Sequence, residues 1–263
     1  MLFATGIPFP EGPAFLPDGS LVVCARRDHY LVQVAPDGTV SRLADMPGLR
    51  PNGCKRHRDG RLFVAAMTGP SIVTTEASEP VVTDADDGPL RGPNDLAFGM
   101  DGTLYFTDPG MEFEPVGRVC RARQPGQPAE VLASGLCYPN GIVVTADNAA
   151  LLVAETCTLR ILRIDLRHAG MAETFVQLEG GLGPDGMALD VDGNLYVAHP
   201  TEGCVTVVDP DGHIRERIAL EGQMPTNVAF RAGSLYVTED DNRGILRIDL
   251  GVAGLPLFGD QHT

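Results

Sequence analysis

Six residues stand at the head of six similar segments: Glu11, Asn52, Asn94, Asn140, Asp185 and Thr226, spaced by 41, 42, 46, 45 and 41 residues. All six side chains carry an oxygen, and two are formally anionic. Carboxylates and amide carbonyls are the donors that a hard divalent cation takes, and two carboxylates nearly neutralise one. A turn accounts for any single Asn-Gly or Asp-Gly pair. It does not account for six oxygen-bearing positions in register, so the spacing predicts a metal site. Other catalytic signatures are missing: the chain has no GxSxG, SxxK or HExxH. A literal GxGxxG at Gly181, Gly183 and Gly186 leads into the strand-like MALDV, which is the wrong context for a dinucleotide fingerprint. The one lysine, Lys55, lies in a predicted strand and is a poor candidate for Schiff-base chemistry.

The elements that must hold these residues are strands. Each segment reads as an apolar strand, a tight turn and a second apolar strand, as in NDLAFGMDGTLYF from Asn94. Further strands follow, such as YLVQV, RILRID and CVTVVD. Four strands per unit of about 44 residues is the sequence signature of a propeller blade. The reading is all-β: a six-bladed β-propeller of four-stranded blades, one domain over residues 1–263. The last unit supplies three strands, so the N-terminal LFATGI is expected to add the fourth and close the ring.

With strands named A to D from the axis outward, the Asp-Gly turns at 18–19, 59–60, 101–102 and 192–193 join A to B. Those at 37–38 and 211–212 join C to D at the same end, which is therefore the structural end. The opposite end collects the starts of the A strands around the channel axis. It also collects the ends of the B strands: Asp108, Glu155, His199 and Glu239, with Arg26, Asp28 and His29 just beyond strand B of blade 1. Of these, His199 is read first as a hydrogen-bonded wall of the pocket and otherwise as a substrate contact and proton shuttle near neutral pH, and Glu155 as a substrate contact or, like Glu239, as the partner of an Arg on a neighbouring blade. Asp108 is read as orienting the Asn94 region. The stretch Asp84-Ala-Asp-Asp87 is expected in a solvated loop.

The segments PEGPAF, PNDLAFGMDGTLYFTDP, YPNGI and PDGMALDVDGNLYVA resemble the senescence marker protein/gluconolactonase/luciferin-regenerating enzyme family, the sugar-lactonase propellers related to regucalcin. The resemblance runs through all six units. It implies one divalent cation at the channel mouth, calcium first, with zinc, magnesium or manganese as alternatives. Glu11, Asn140 and Asp185 would be its ligands, and Asn94 would contact metal or substrate. In the regucalcin branch an Arg two residues before the blade 3 Asn contacts the sugar. Here Gly92 has that place and Arg91 stands one residue further back, so Arg91 and Asn52 join the expected substrate contacts. The implied reaction is lactone hydrolysis, with the cation polarising the carbonyl and Asp185 as the base. The same constellation serves phosphotriester or aryl-ester hydrolysis, or calcium binding without catalysis.

Composition narrows the partners. With 20 basic and 35 acidic side chains the formal charge is −15, the wrong sign for nucleic acid or an anionic membrane surface. A small-molecule lactone is the expected partner, and a monomer or small homo-oligomer the expected state. The start MLFATGIPFPEG lacks the features of a signal peptide, so a cytoplasmic location is expected, with the six cysteines reduced and mostly in the core. The 52 Gly and Pro residues punctuate the blades.

Overall fold

A computed structural model describes residues 1–76, 80–110, 114–167 and 171–260. Six antiparallel sheets follow one another along the chain, as expected for a six-bladed propeller. Blade 1 is Pro10–Phe15, Leu21–Ala25, Tyr30–Val34 and Val40–Asp45. Blade 4 is Pro139–Val144, Ala150–Glu155, Arg160–Asp165 and Ala172–Gln177. In blade 6, Pro225–Arg231, Ser234–Glu239 and Gly244–Asp249 are joined by Leu2–Thr5 from the other end of the chain, with Ala4 opposite Ile245 and Thr5 opposite Gly244. The ring is closed by the N-terminal strand.

Blade 2 departs from the four-stranded expectation. Its sheet has three strands, Pro51–Arg56, Leu62–Ala66 and Ser71–Thr74, and an isolated bridge from Ile72 to Val82 stands in for the fourth. The chain then forms a small hairpin, Asp84–Ala85 with Gly88–Pro89. The acidic stretch is therefore not a free loop. Asp87 forms an ion pair with Arg118, whose side chain is completely buried.

The hydrophobic cores lie between adjacent blades, where the faces of neighbouring sheets meet. Val64, Val22 and Leu62 share one cluster across blades 1 and 2, and Leu151, Val119 and Tyr105 share another across blades 3 and 4. B strands such as Ala150–Glu155 are buried throughout, and D strands such as Ile214–Ala219 are largely exposed. Of the six free cysteines, Cys24, Cys54, Cys120 and Cys204 are buried and Cys137 and Cys157 are half-buried. Among the described residues no helix is long and apolar enough to cross a membrane.

The Asp-Gly turns are hairpin turns as expected. Asp18, Asp59 and Asp101 accept the backbone N–H of the residue two positions on, at 2.9–3.0 Å. In blade 5 the acid two residues earlier takes this part: Asp190 accepts from Asp192 and Asn194, and Asp209 from Asp211 and His213. The exposed trio Asp209, Asp211 and His213 is thus turn chemistry at the structural end. The C-terminal tail then crosses beneath that end. Its Leu255 N–H donates to Leu189 O of blade 5, and its buried Phe258 packs edge-on to His57 of blade 2, 4.9 Å between centroids.

Near the axis, neighbouring A strands approach backbone to backbone. A Cβ on Gly12 would lie 2.3 Å from Asn52 O of the next blade, and one on Gly141 2.4 Å from Asp185 O. Gly12 also has φ +54, a conformation that side chains resist. Gly12→Ala is expected to lower stability by at least about 1–3 kcal/mol, the usual cost of overpacking. Its denaturant midpoint compared with wild type is the check.

Candidate functional site at the channel mouth

Each A strand enters with Pro followed by a ring residue. In blades 1, 2, 4 and 6 the pairing with strand B slips at that point, for example between Glu11 and Ala14 and between Pro139 and Ile142. Such bulges re-aim a side chain, and here they turn the ring residues toward the axis. In blades 3 and 5 the regular strand begins later, at Leu96 and Met187, so Asn94 and Asp185 lie in the entering loop.

Five of the six ring residues keep a side-chain acceptor for the mouth. Glu11, Asn52, Asn94 and Asn140 are buried, and Asp185 is partly exposed. The Asn52 amide donates to Asn94 Oδ1 at 2.9 Å and to Asn94 O at 3.1 Å, and the Asn140 amide donates to Thr156 Oγ1 at 3.2 Å. Thr226 is the exception. Its hydroxyl donates to Pro10 O at 2.6 Å and lies 2.8 Å from Thr238 Oγ1, stitching blade 6 to blade 1.

The carboxylates in this mouth are poorly compensated. Burial pushes Glu11 up to about 7; Arg26 opposes that shift and the charge of Asp95 adds to it. Asp185 is raised well above the usual range by burial first and by Glu11 second, with Arg26 and the Asn140 amide opposing. Neither acid has an ion-pair partner within 4.0 Å among the described residues, and Asn52 Oδ1 is buried without a hydrogen-bond donor. Uncompensated acids beside an orphaned amide oxygen form a donor set that fits a divalent cation. Glu11, Asn52, Asn94, Asn140 and Asp185 are the residues able to hold one.

The floor of the mouth was not anticipated. Where four blades have Gly after the ring residue, blade 3 has Asp95 and blade 6 has Asn227, and both are buried. Asn227 Nδ2 reaches across the axis to Asp95 Oδ2 at 3.4 Å, and Lys55 Nζ stands 4.0 Å from Asp95 Oδ1. Glycines make the room: a Cβ on Gly186 would lie 2.0 Å from Asn227 Cγ, and one on Gly53 2.5 Å from Asp95 Oδ1. With the tail running across the far end from blade 5 to blade 2, these groups form the floor of a cup-like mouth. The sequence signal was the break in the Pro-X-Gly pattern at PND and PTN.

The residues ending the B strands hold the scaffold: His199 is the hydrogen-bonded wall, and Glu155 is paired with an Arg, from its own blade rather than a neighbouring one. All four are fully buried and tie down the loop that precedes their own A strand. Asp108 accepts the N–H groups of Arg91 at 2.9 Å and Gly92 at 2.7 Å, and pairs with buried Arg118 at 2.8 Å. Glu155 accepts from Cys137 N at 2.8 Å, Arg160 Nε at 2.5 Å and the Thr158 hydroxyl. His199 lies 2.9 Å from Gly180 O and 3.2 Å from Thr206 Oγ1, and Glu239 accepts from Met224 N at 2.8 Å. With both ring nitrogens engaged, His199 has none to offer a substrate. Arg91 points to the rim, bonded to Val116 O and 3.4 Å from Asp87. His29 bonds Leu49 O at 2.6 Å.

Comparison with known proteins agrees with this architecture. Residues 9–240 match the SMP-30/gluconolactonase/LRE-like region. The chain belongs to that family. It is 28% identical over 284 residues to the diisopropyl-fluorophosphatase of Loligo vulgaris, covering 92% of this chain and 89% of that protein. It is 30% identical over 217 residues to lactonase drp35 of Staphylococcus aureus, covering 78% and 67%. Among solved structures, a gluconolactonase from Xanthomonas campestris superimposes with a TM-score of 0.83 at 24% identity, covering 96% and 88%. A regucalcin from Agrobacterium tumefaciens, described as a calcium-binding protein, does so with 0.79 at 22% identity, covering 97% and 93%. At those identities the likeness carries the fold alone.

Glu155 yields a pH-dependent prediction. Burial alone would raise its carboxyl, but hydrogen bonds from Arg160, Thr158 and Cys137 N–H outweigh it and hold the group below its ordinary value. A lowered folded pKa stabilises above the unfolded value and is lost as pH falls through the folded one. Glu155→Gln is expected to cost about 1.5–3 kcal/mol at neutral pH. Denaturant titrations should show the gap to wild type narrowing as the solution is taken below the ordinary carboxyl range.

Proposed function

We propose that this protein is a divalent-cation-dependent lactonase whose reaction takes place in the cup-like channel mouth. The observation that carries this reading is the pair Glu11 and Asp185, two acids without an ion-pair partner among the described residues, together with the orphaned Asn52 oxygen of the same ring. Calcium is the ion best suited to an all-oxygen set of this size, with zinc, magnesium and manganese as substitutes. Glu11, Asn140 and Asp185 would hold it, and Asn94 and Asn52 would complete the ring or meet the substrate.

When bound, the cation supplies Lewis-acid polarisation of the ester carbonyl. The chain's residues do the rest. Asp185, the partly exposed acid, accepts the proton of the attacking water as its oxygen bonds to the acyl carbon. The ring C–O bond then breaks, and the proton held on Asp185 passes to the departing alkoxide. Asn52 and Asn94 are bonded to each other, so their amides stay fixed while the substrate changes shape. The Asp95–Asn227–Lys55 floor limits how deep a substrate enters and keeps water from passing through the channel.

A second reading is phosphotriester hydrolysis, favoured by the likeness to diisopropyl-fluorophosphatase along 92% of the chain. A pH-indicator assay over aldonolactones, aliphatic lactones and a phosphotriester, with and without chelator, separates the two. Lactone opening that chelator abolishes and a divalent ion restores is expected. Failure to open any lactone after addition of calcium, manganese or zinc contradicts the proposal. Asp185→Ala should lower turnover by about 10²–10⁴-fold, the range for loss of a general base, while the β circular-dichroism signal is retained. Unfolding of that variant would point instead to a structural cation.

A further inference from the structure

Two side-chain polar atoms are buried without any hydrogen-bond partner among the described residues: Asn52 Oδ1, in the ring, and Arg26 Nε. Arg26 follows directly on strand B of blade 1, and its backbone N–H donates to Phe9 O at 3.1 Å, beside the entry of Glu11. The corresponding position of blade 4 is Thr156, which touches the ring residue Asn140. Arg26 thus belongs to the layer of side chains immediately around the ring, and its charge acts on both Glu11 and Asp185.

A partly buried arginine ordinarily has an acid against it. Arg26 has none within 4.0 Å among the described residues. Its guanidinium lies over the Phe9 ring at 4.6 Å and reaches Met67 Sδ at 3.3 Å. An aromatic face and a thioether fix the group while leaving most of its N–H donors free. Asp95 already has Lys55 beside it. Once a divalent cation offsets Glu11 and Asp185, the charge of Arg26 is left without a partner at the mouth. In a chain of net charge −15, which repels anions at long range, their capture falls to such a local contact.

We infer that Arg26 is an anion subsite of the cup, selecting substrates that carry a carboxylate or phosphate group beside the ester to be opened. This rests on the lactonase reading and narrows its substrate class. The guanidinium fork suits two oxygens of either anion.

The test compares kcat/KM for glucono-δ-lactone with that for its 6-phosphate and for a glucarate monolactone, in wild type, Arg26→Gln and Arg26→Lys. Calorimetric binding of gluconate 6-phosphate to the calcium-loaded proteins accompanies it. Wild type is expected to prefer at least one anionic lactone, and the better arm identifies the anion. Arg26→Gln should reduce that preference, and the calorimetric affinity, by about tenfold or more, as loss of a charge-assisted hydrogen bond does. Arg26→Lys should fall between. A wild type that prefers neither anionic lactone, or an unchanged preference and affinity in Arg26→Gln, overturns the inference. If no lactone is opened at all, the lactonase reading fails, and the calorimetric arm still decides whether Arg26 binds anions.

Discussion

At the axis the blades meet through their backbones, and everything at the mouth depends on that closeness. Gly12, Gly53, Gly141 and Gly186 each abut the neighbouring blade at distances no Cβ tolerates. Only a chain that turns immediately after the ring residue can converge so far. The same convergence bonds Asn52 to Asn94 and brings Glu11 and Asn140 close enough to act on the Asp185 carboxylate. Holding two acids together, one buried and one partly exposed, is costly unless something positive is shared between them. The geometry therefore creates a demand that the proposed cation would meet.

The rest of the mouth is a system of restraints on that volume. Buried polar groups at the ends of the B strands of blades 3 to 6 fasten the loops through which their A strands enter. Arg118 ties Asp108 to Asp87, so the blade 3 loop is also held from the outside. Thr226 and Thr107 add stitches between blades by donating to Pro10 O and Asn140 O. Each of these groups spends its hydrogen-bonding capacity on the scaffold. What remains for the proposed ligands is the ring without Thr226, together with Arg26.

The blades and the ring were legible in the sequence because both follow from a repeat: the period of the strands gives the fold, and the register of Pro-X-Gly gives the convergence. Ring closure followed from a strand deficit in the last unit. What escaped were contacts between residues distant in the chain. Asp95 and Asn227 meet across the axis although 132 positions separate them, and Arg118 and Asp87 are joined through a hairpin that replaces an outer strand. For Glu155 and His199 the residue type suggests chemistry at a mouth as well as an Arg partner or a bonded wall, and their contacts match the structural alternative. Their burial, and the backbone groups they hold, could not be read from residue type. Thr226 shared the register of the ring but not its orientation, because a hydroxyl so close to a carbonyl finds it first.

The proposed function requires one divalent cation at the channel mouth. A crystal soaked with manganese, measured for anomalous scattering, tests it directly. A single strong peak in contact with Glu11, Asn140 and Asp185 is expected. No peak there, or a peak only at the exposed Asp209, Asp211 and His213 on the opposite end, would contradict it.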